Sequence, residues 1–186
     1  MKKVIIVHGW ASNEKDNPLN HWMYWLKKKL EDKNFEVFAS LMPKYWIPNY
    51  EKWKKAFDKL NVDNETILIG HSCGCAFLVR WLGETRKKIK KLILVAPWKI
   101  PDKEEPKLLE VKKKFYNFEI NENIKNNIKK VIIFTSDDEE EDGKKSVKIF
   151  HDALCGEIIE LKNHGHFTLG DMGTKEFPEL LEKVLE

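Results

Sequence analysis

The stretch Ile67-Leu68-Ile69-Gly70-His71-Ser72-Cys73-Gly74-Cys75 decides the fold. It starts as a short apolar run of strand type and leads into Cys75–Leu82, apolar enough to be a buried helix. Between the two lies Gly70-x-Ser72-x-Gly74. A strand that enters a helix through such a turn leaves the serine at a strained apex with its hydroxyl projecting. Cβ atoms two positions either side of the apex would collide, and glycine at Gly70 and Gly74 removes them. The helix that follows points free amides and the positive end of its dipole at the same place. Ser72 is therefore the candidate nucleophile, and the Cys73 amide one candidate oxyanion donor. The Cys73 side chain, one position past the apex, projects sideways and is not read as a nucleophile. Cys75 is read as core.

Outward from this turn, further apolar runs occur at Val4–Val7, Leu92–Ala96, Val131–Phe134 and Glu157–Leu161, with a weaker one around Glu36–Phe38. The strongest are nearly continuous in apolar residues and rich in Val and Ile, as expected of strands buried on both faces. Helical spacing appears in Trp22, Trp25, Leu26 and Leu30, with Asn20 as their expected cap, and again in Tyr50, Trp53, Phe57 and Leu60. Lys144–Leu154 and Glu176–Leu185 read as surface helices. Alternating strands and helices predict an α/β domain around a mostly parallel sheet, in a single domain over residues 1–186. Two irregular segments, Ser40–Asn49 and Trp98–Asn123, leave the carboxyl ends of strands and are candidates to wall a pocket.

A serine hydroxyl needs a general base, and the base an orienting carboxylate. When strand–turn–helix serines are used this way, the chain order is serine, acid, histidine. After Ser72 the histidines are His151, His164 and His166. His151 falls inside a helical stretch. His166 follows the last strand with Gly165 before it, for a close turn, and Phe167 after it, as an anchor. It is the chosen base, with His164 the second candidate. The acid is expected after the fifth strand, in Thr135-Ser136-Asp137-Asp138, where spacing does not separate Asp137 from Asp138. The following Glu139-Glu140-Glu141-Asp142 is read as solvated loop. In the loop after the first strand, Gly9 allows close backbone approach. The Trp10 amide is the second candidate oxyanion donor, with Gly9 as alternative, and His8 is read as ordering the loop. His8, Trp22 and Trp98, with Trp10 and Trp46, are candidates to line an apolar pocket.

Composition narrows the function classes. The chain has 186 residues, 42% of them hydrophobic, with Lys plus Arg at 33 against Asp plus Glu at 30. Charges of both signs are interspersed, so no one-signed surface for nucleic acid is expected. The short runs Lys27–Lys29 and Lys112–Lys114 are read as solvated helix faces. No apolar stretch is of membrane-spanning length, and the N-terminal run is read as a first strand and not a leader. Three cysteines without disulfide or zinc spacing fit a cytoplasmic setting. A nicotinamide site would need more glycine than Gly9 alone after the first strand. No cofactor and no metal is expected.

The sequence resembles the small serine hydrolases related to retinoblastoma-binding protein 9 and the bacterial YdeN-type hydrolases. The resemblance covers nearly the whole chain. It rests on His8-Gly9-Trp10, His21-Trp22 with Trp25-Leu26, Met42-Pro43, Gly70-His71-Ser72-Cys73-Gly74, Ser136-Asp137-Asp138 and Gly165-His166-Phe167. It implies a minimal α/β-hydrolase fold of about six mostly parallel strands in order 2-1-3-4-5-6, helices on both faces, and no large cap. It also implies a Ser-His-Asp triad acting on small or short-acyl esters. The family motif runs aspartate, aspartate, proline, with the second aspartate catalytic, which maps onto Asp138. Here Glu139 stands in place of the proline. Amide or thioester hydrolysis, and a non-catalytic protein-binding module keeping the fold, are the alternative functions, with any protein partner left open.

Overall fold

In the computed structural model, which describes residues 2–101 and 106–186, six strands form one parallel sheet. The strands are β1 (Lys3–Val7), β2 (Glu36–Ala39), β3 (Ile67–His71), β4 (Ile89–Val95), β5 (Ile128–Ser136) and β6 (Glu157–Leu161). Their order is β2-β1-β3-β4-β5-β6, as the resemblance implied. The helices are α1 (Met23–Glu31), α2 (Tyr50–Phe57), α3 (Cys73–Thr85), α4 (Pro106–Tyr116), α5 (Glu141–Leu154), α6 (Leu169–Met172) and α7 (Pro178–Leu185).

The continuous apolar runs are continuous because alternate side chains enter two different cores. From β1, Ile5 and Val7 join Trp53, Phe77, Leu82 and Phe150 on the face covered by α2, α3 and α5. Val4 and Ile6 join Trp22, Leu26, Leu180 and Val184 on the face covered by α1 and α7. β4 divides likewise, Leu92 and Leu94 to the first core and Ile93 and Val95 to the second. Helices thus cover both faces, and a strand in the middle of the sheet has no polar side to show. β6 is an edge strand and the least buried of the six, with two glutamates and an exposed Ile158. Charge on an edge discourages pairing with another chain.

One expected cap is misplaced. Asn20 does not cap α1; it ends a 3-10 turn, Pro18–Asn20, whose N-cap is Asn17. Asn17 accepts the Leu19 N–H, and Pro18 fits the first position of the turn. α1 begins two residues later than expected, with Trp22 at its N-cap position and no side-chain cap. Among the described residues no helix is long and apolar enough to cross a membrane.

At the carboxyl end of β1, the buried His8 joins two loops. Its Nδ1–H donates to the Gly9 carbonyl at 2.7 Å, and its Nε2 accepts the Met42 N–H at 2.8 Å. The neutral ring fulfils both bonds, and burial lowers its pKa from 6.5 to about 4. Between those two values the unfolded chain holds the extra proton and the folded chain does not. Stability therefore falls as pH is lowered through this window. At about 1.36 kcal/mol per unit, His8 accounts for a loss on the order of 2–3 kcal/mol between pH 7 and 4.5. Buried His71 adds to it in the same direction. Denaturant titrations at the two pH values should show the loss, and His8→Gln should shrink it. An unchanged difference in the variant would refute this assignment.

Candidate active site

The turn between β3 and α3 is built as its glycines require. Ser72 has φ 51°, a left-handed conformation that few non-glycine residues adopt. A Cβ on Gly70 would lie 2.8 Å from the Cys75 backbone, and one on Gly74 2.5 Å from the Val7 carbonyl oxygen. The serine turn is thereby wedged against the end of β1. Gly9 also sits close to it, since a Cβ there would lie 3.0 Å from the Ser72 Cβ. Cys73 and Cys75 are buried, and burial pushes both thiols up, away from thiolate.

His166 stands above the serine, its Nε2 2.9 Å from Ser72 Oγ. Its loop is held at several points. Gly165 has φ 49° and Phe167 φ 57°, and Phe167 is wholly buried and stacked on Phe177 at 5.3 Å. Asp171 accepts the His166 N–H at 3.1 Å and closes a capping box with Thr168 at the start of α6. His164 is half-buried, its Nδ1 2.7 Å from the Lys162 carbonyl and its ring packed on Phe167. His151 lies in α5, bonded to the Gly156 carbonyl.

The carboxylate on His166 is Glu139 and not Asp138, a correction to the expected triad. Glu139 Oε2 lies 2.9 Å from His166 Nδ1, and its side chain is 1% exposed. Its Oε1 accepts the Glu140 N–H. The two aspartates serve the backbone of the base loop instead. Asp137 accepts the Asn163 N–H and Asp138 the Gly165 N–H, each at 2.9 Å, while Ser136 Oγ accepts the His164 N–H. Three successive loop amides are thus fixed from the end of β5. The Ser136 hydroxyl first, and the Gly165 amide next, hold the Asp138 carboxyl below its usual range. With Asp138 turned to the backbone, the longer glutamate reaches the ring. Gly143 makes room for it: a Cβ there would lie 2.6 Å from Glu139 Cγ. The expectation that Glu139 is solvated therefore fails. The pair Glu139 and Gly143, four apart, was the available signal. The Thr168-x-x-Asp171 spacing carries a capping-box signal for the start of α6.

A cavity of about 900 Å³ opens over Ser72 and His166. Trp10, Trp98, Ile100, Pro101 and Tyr116 give it an apolar side; Glu140, Asp142 and Lys145 lie on its wall as well. Trp98 meets the His166 ring edge-on at 5.3 Å. Three of the expected lining residues, His8, Trp22 and Trp46, do not reach it. His8 is buried beneath the site, and Trp22 is buried in the core on the other face of the sheet. Of the two irregular segments, Trp98–Asn123 supplies part of the wall, though its residues 102–105 lie outside the described residues. Ser40–Asn49 packs on His8 and the α2 core instead, with Trp46 against Tyr45. Lys112 is not on a solvated face; it is 8% exposed, with its ammonium 5.4 Å from the Trp10 ring centre.

A six-stranded parallel sheet in this order, with a strained serine after β3 facing a histidine after β6, defines the α/β-hydrolase class of fold. The sequence profile of the serine hydrolases matches residues 4–186, and the chain belongs to that family. YdeN of Bacillus subtilis, a protein named as a hydrolase, is 31% identical over 99 residues, a match covering 51% of this chain and 50% of YdeN. The chain thus spans about half the length of this curated relative. The crystal structure of the B. subtilis ydeN product superimposes over 100% of this chain and 97% of its own, with TM-score 0.83 and 23% identity. Est1E of Butyrivibrio proteoclasticus, solved with ferulic acid, gives TM-score 0.65 at 15% identity over 100% and 90% of the two chains. At these identities the structural matches speak for the fold.

Proposed function

We propose that this hydrolase is a carboxylesterase for small or short-acyl esters, working through Ser72, His166 and Glu139. The observation that carries the reading is the continuous chain of hydrogen bonds. Glu139 Oε2 accepts Nδ1–H of His166, which leaves Nε2 unprotonated and 2.9 Å from the Ser72 hydroxyl. This is the tautomer a general base needs.

In the first half-reaction Ser72 Oγ attacks the ester carbonyl as its proton passes to His166 Nε2. Glu139 stabilises the resulting imidazolium. The Cys73 amide, in the first turn of α3 and without a helical partner, faces the developing oxyanion. The Trp10 or Gly9 amide is the second donor. The imidazolium then protonates the leaving alcohol as the tetrahedral intermediate collapses to an acyl-serine. In the second half-reaction His166 takes a proton from water, hydroxide adds to the acyl carbon, and Ser72 leaves with the proton returned. The chemistry needs no cofactor. The cavity favours a small apolar acyl group against Trp10 and Trp98. The single-domain reading without a large cap fits such open access, and three free thiols fit the cytoplasm.

The test is a fluorophosphonate probe followed by peptide mapping, with turnover of p-nitrophenyl butyrate alongside. An adduct on Ser72 together with turnover is the expected result. A folded protein that neither labels nor turns over ester would sink the reading, in favour of a binding module that kept the fold.

A further inference from the structure

Close to Ser72, His71 and the His21-Trp22 pair take no part in the acyl transfer described above. His71 ends β3, and its ring is buried under the serine turn. Its Nε2 lies 2.8 Å from the carbonyl oxygen of His166. A carbonyl only accepts, so Nε2 carries the proton and Nδ1 is left as a bare acceptor. That Nδ1 is buried without a hydrogen-bond partner. An unpartnered buried acceptor opposes folding, and an apolar side chain at this position would avoid it. What the imidazole supplies in return is one N–H to the backbone of the residue that faces the serine.

The His71 ring is itself enclosed. His21 and Trp22 each meet it with ring centres 6.0 Å apart, at 65° and 84°, and the His166 ring lies at 5.3 Å. His21 also accepts the Leu169 N–H on Nδ1 at 2.9 Å. The pair therefore grips His71 on one side and the start of α6, just beyond the base loop, on the other. Asp171 holds the His166 N–H, and His71 holds its carbonyl. Both backbone polar groups of the base are tied.

We propose that His71 is a positioning residue for the base: its Nε2–H fixes the His166 backbone over Ser72, and His21 with Trp22 fixes the His71 ring. The inference rests on the acyl-transfer reading above. His71→Gln and His71→Asn separate reach from polarity, because a glutamine amide extends to about the Nε2 position and an asparagine amide to about that of Nδ1. His71→Leu completes the series. Readouts are kcat and KM for p-nitrophenyl butyrate, the rate of fluorophosphonate labelling, and the thermal midpoint. For the asparagine and leucine variants kcat and labelling rate should fall roughly tenfold to a hundredfold with KM little changed, the scale of a small misplacement of a reacting group. The glutamine variant should recover most of both, whatever the order of the midpoints. Equal kcat in the glutamine and asparagine variants, or changes that follow the midpoints alone, overturns the positioning role. An active wild type whose variants match it leaves the esterase reading intact and removes only this inference. An inactive, unlabelled wild type removes both.

Discussion

Glu139→Gln is expected to lower kcat by roughly 10³–10⁴-fold with little change in KM. That is the scale seen when the orienting carboxylate of a serine hydrolase becomes an amide. The side chain keeps its size and place, so the loss comes from electrostatics. An amide nitrogen turned toward His166 favours the wrong tautomer, and a neutral amide does not stabilise the imidazolium. Asp138→Asn should leave kcat within about tenfold of wild type, since Asp138 bonds to the Gly165 amide and the Ser136 hydroxyl and not to the ring. Gly143→Ala tests the same geometry from outside the site. A methyl group there would meet Glu139 Cγ at 2.6 Å and Cδ at 2.7 Å, so the carboxylate must move. A kcat loss of roughly tenfold to a hundredfold is expected. Steady-state kinetics on the three variants decides the matter. A large loss in Asp138→Asn with Glu139→Gln near wild type would restore the aspartate as the acid.

Ser72→Ala should abolish fluorophosphonate labelling and lower kcat by about 10⁶-fold, the scale of removing an activated serine. KM should change little, because the cavity walls are untouched. His166→Ala should come close to the same loss, since nucleophile and base act as one unit and their effects do not add. Cys73 provides the control. Its thiol is wholly buried and burial raises its pKa, so it has neither access nor thiolate character. Cys73→Ala should retain labelling at Ser72. Labelling that survives in Ser72→Ala and maps to another residue would displace Ser72 from this role.

The amino-acid sequence by itself determined the sheet and the serine turn. Val4–Val7, Ile67–Ile69, Leu92–Val95 and Val131–Phe134 are apolar on both faces, and only a parallel sheet covered by helices on both sides buries such runs. Gly70 and Gly74 mark the turn by their spacing around the serine; the collision avoided at Gly70 is local, with the Cys75 backbone, whereas that at Gly74 is with the end of β1. His166 after the last strand was legible for the same reason: strand order brings the loop after β6 to the carboxyl end of the sheet. Tertiary structure alone decided which carboxylate meets His166. Asp137, Asp138 and Glu139 are consecutive, and the choice depends on where the amides of Asn163 and Gly165 sit and on the space left by Gly143. It likewise decided that Trp98 lines the cavity while Trp22 lies across the sheet, and that His71 bonds to the base loop rather than to its own neighbours. These outcomes turn on side-chain reach and direction across chain separations of tens of residues, which periodicity and local spacing do not encode.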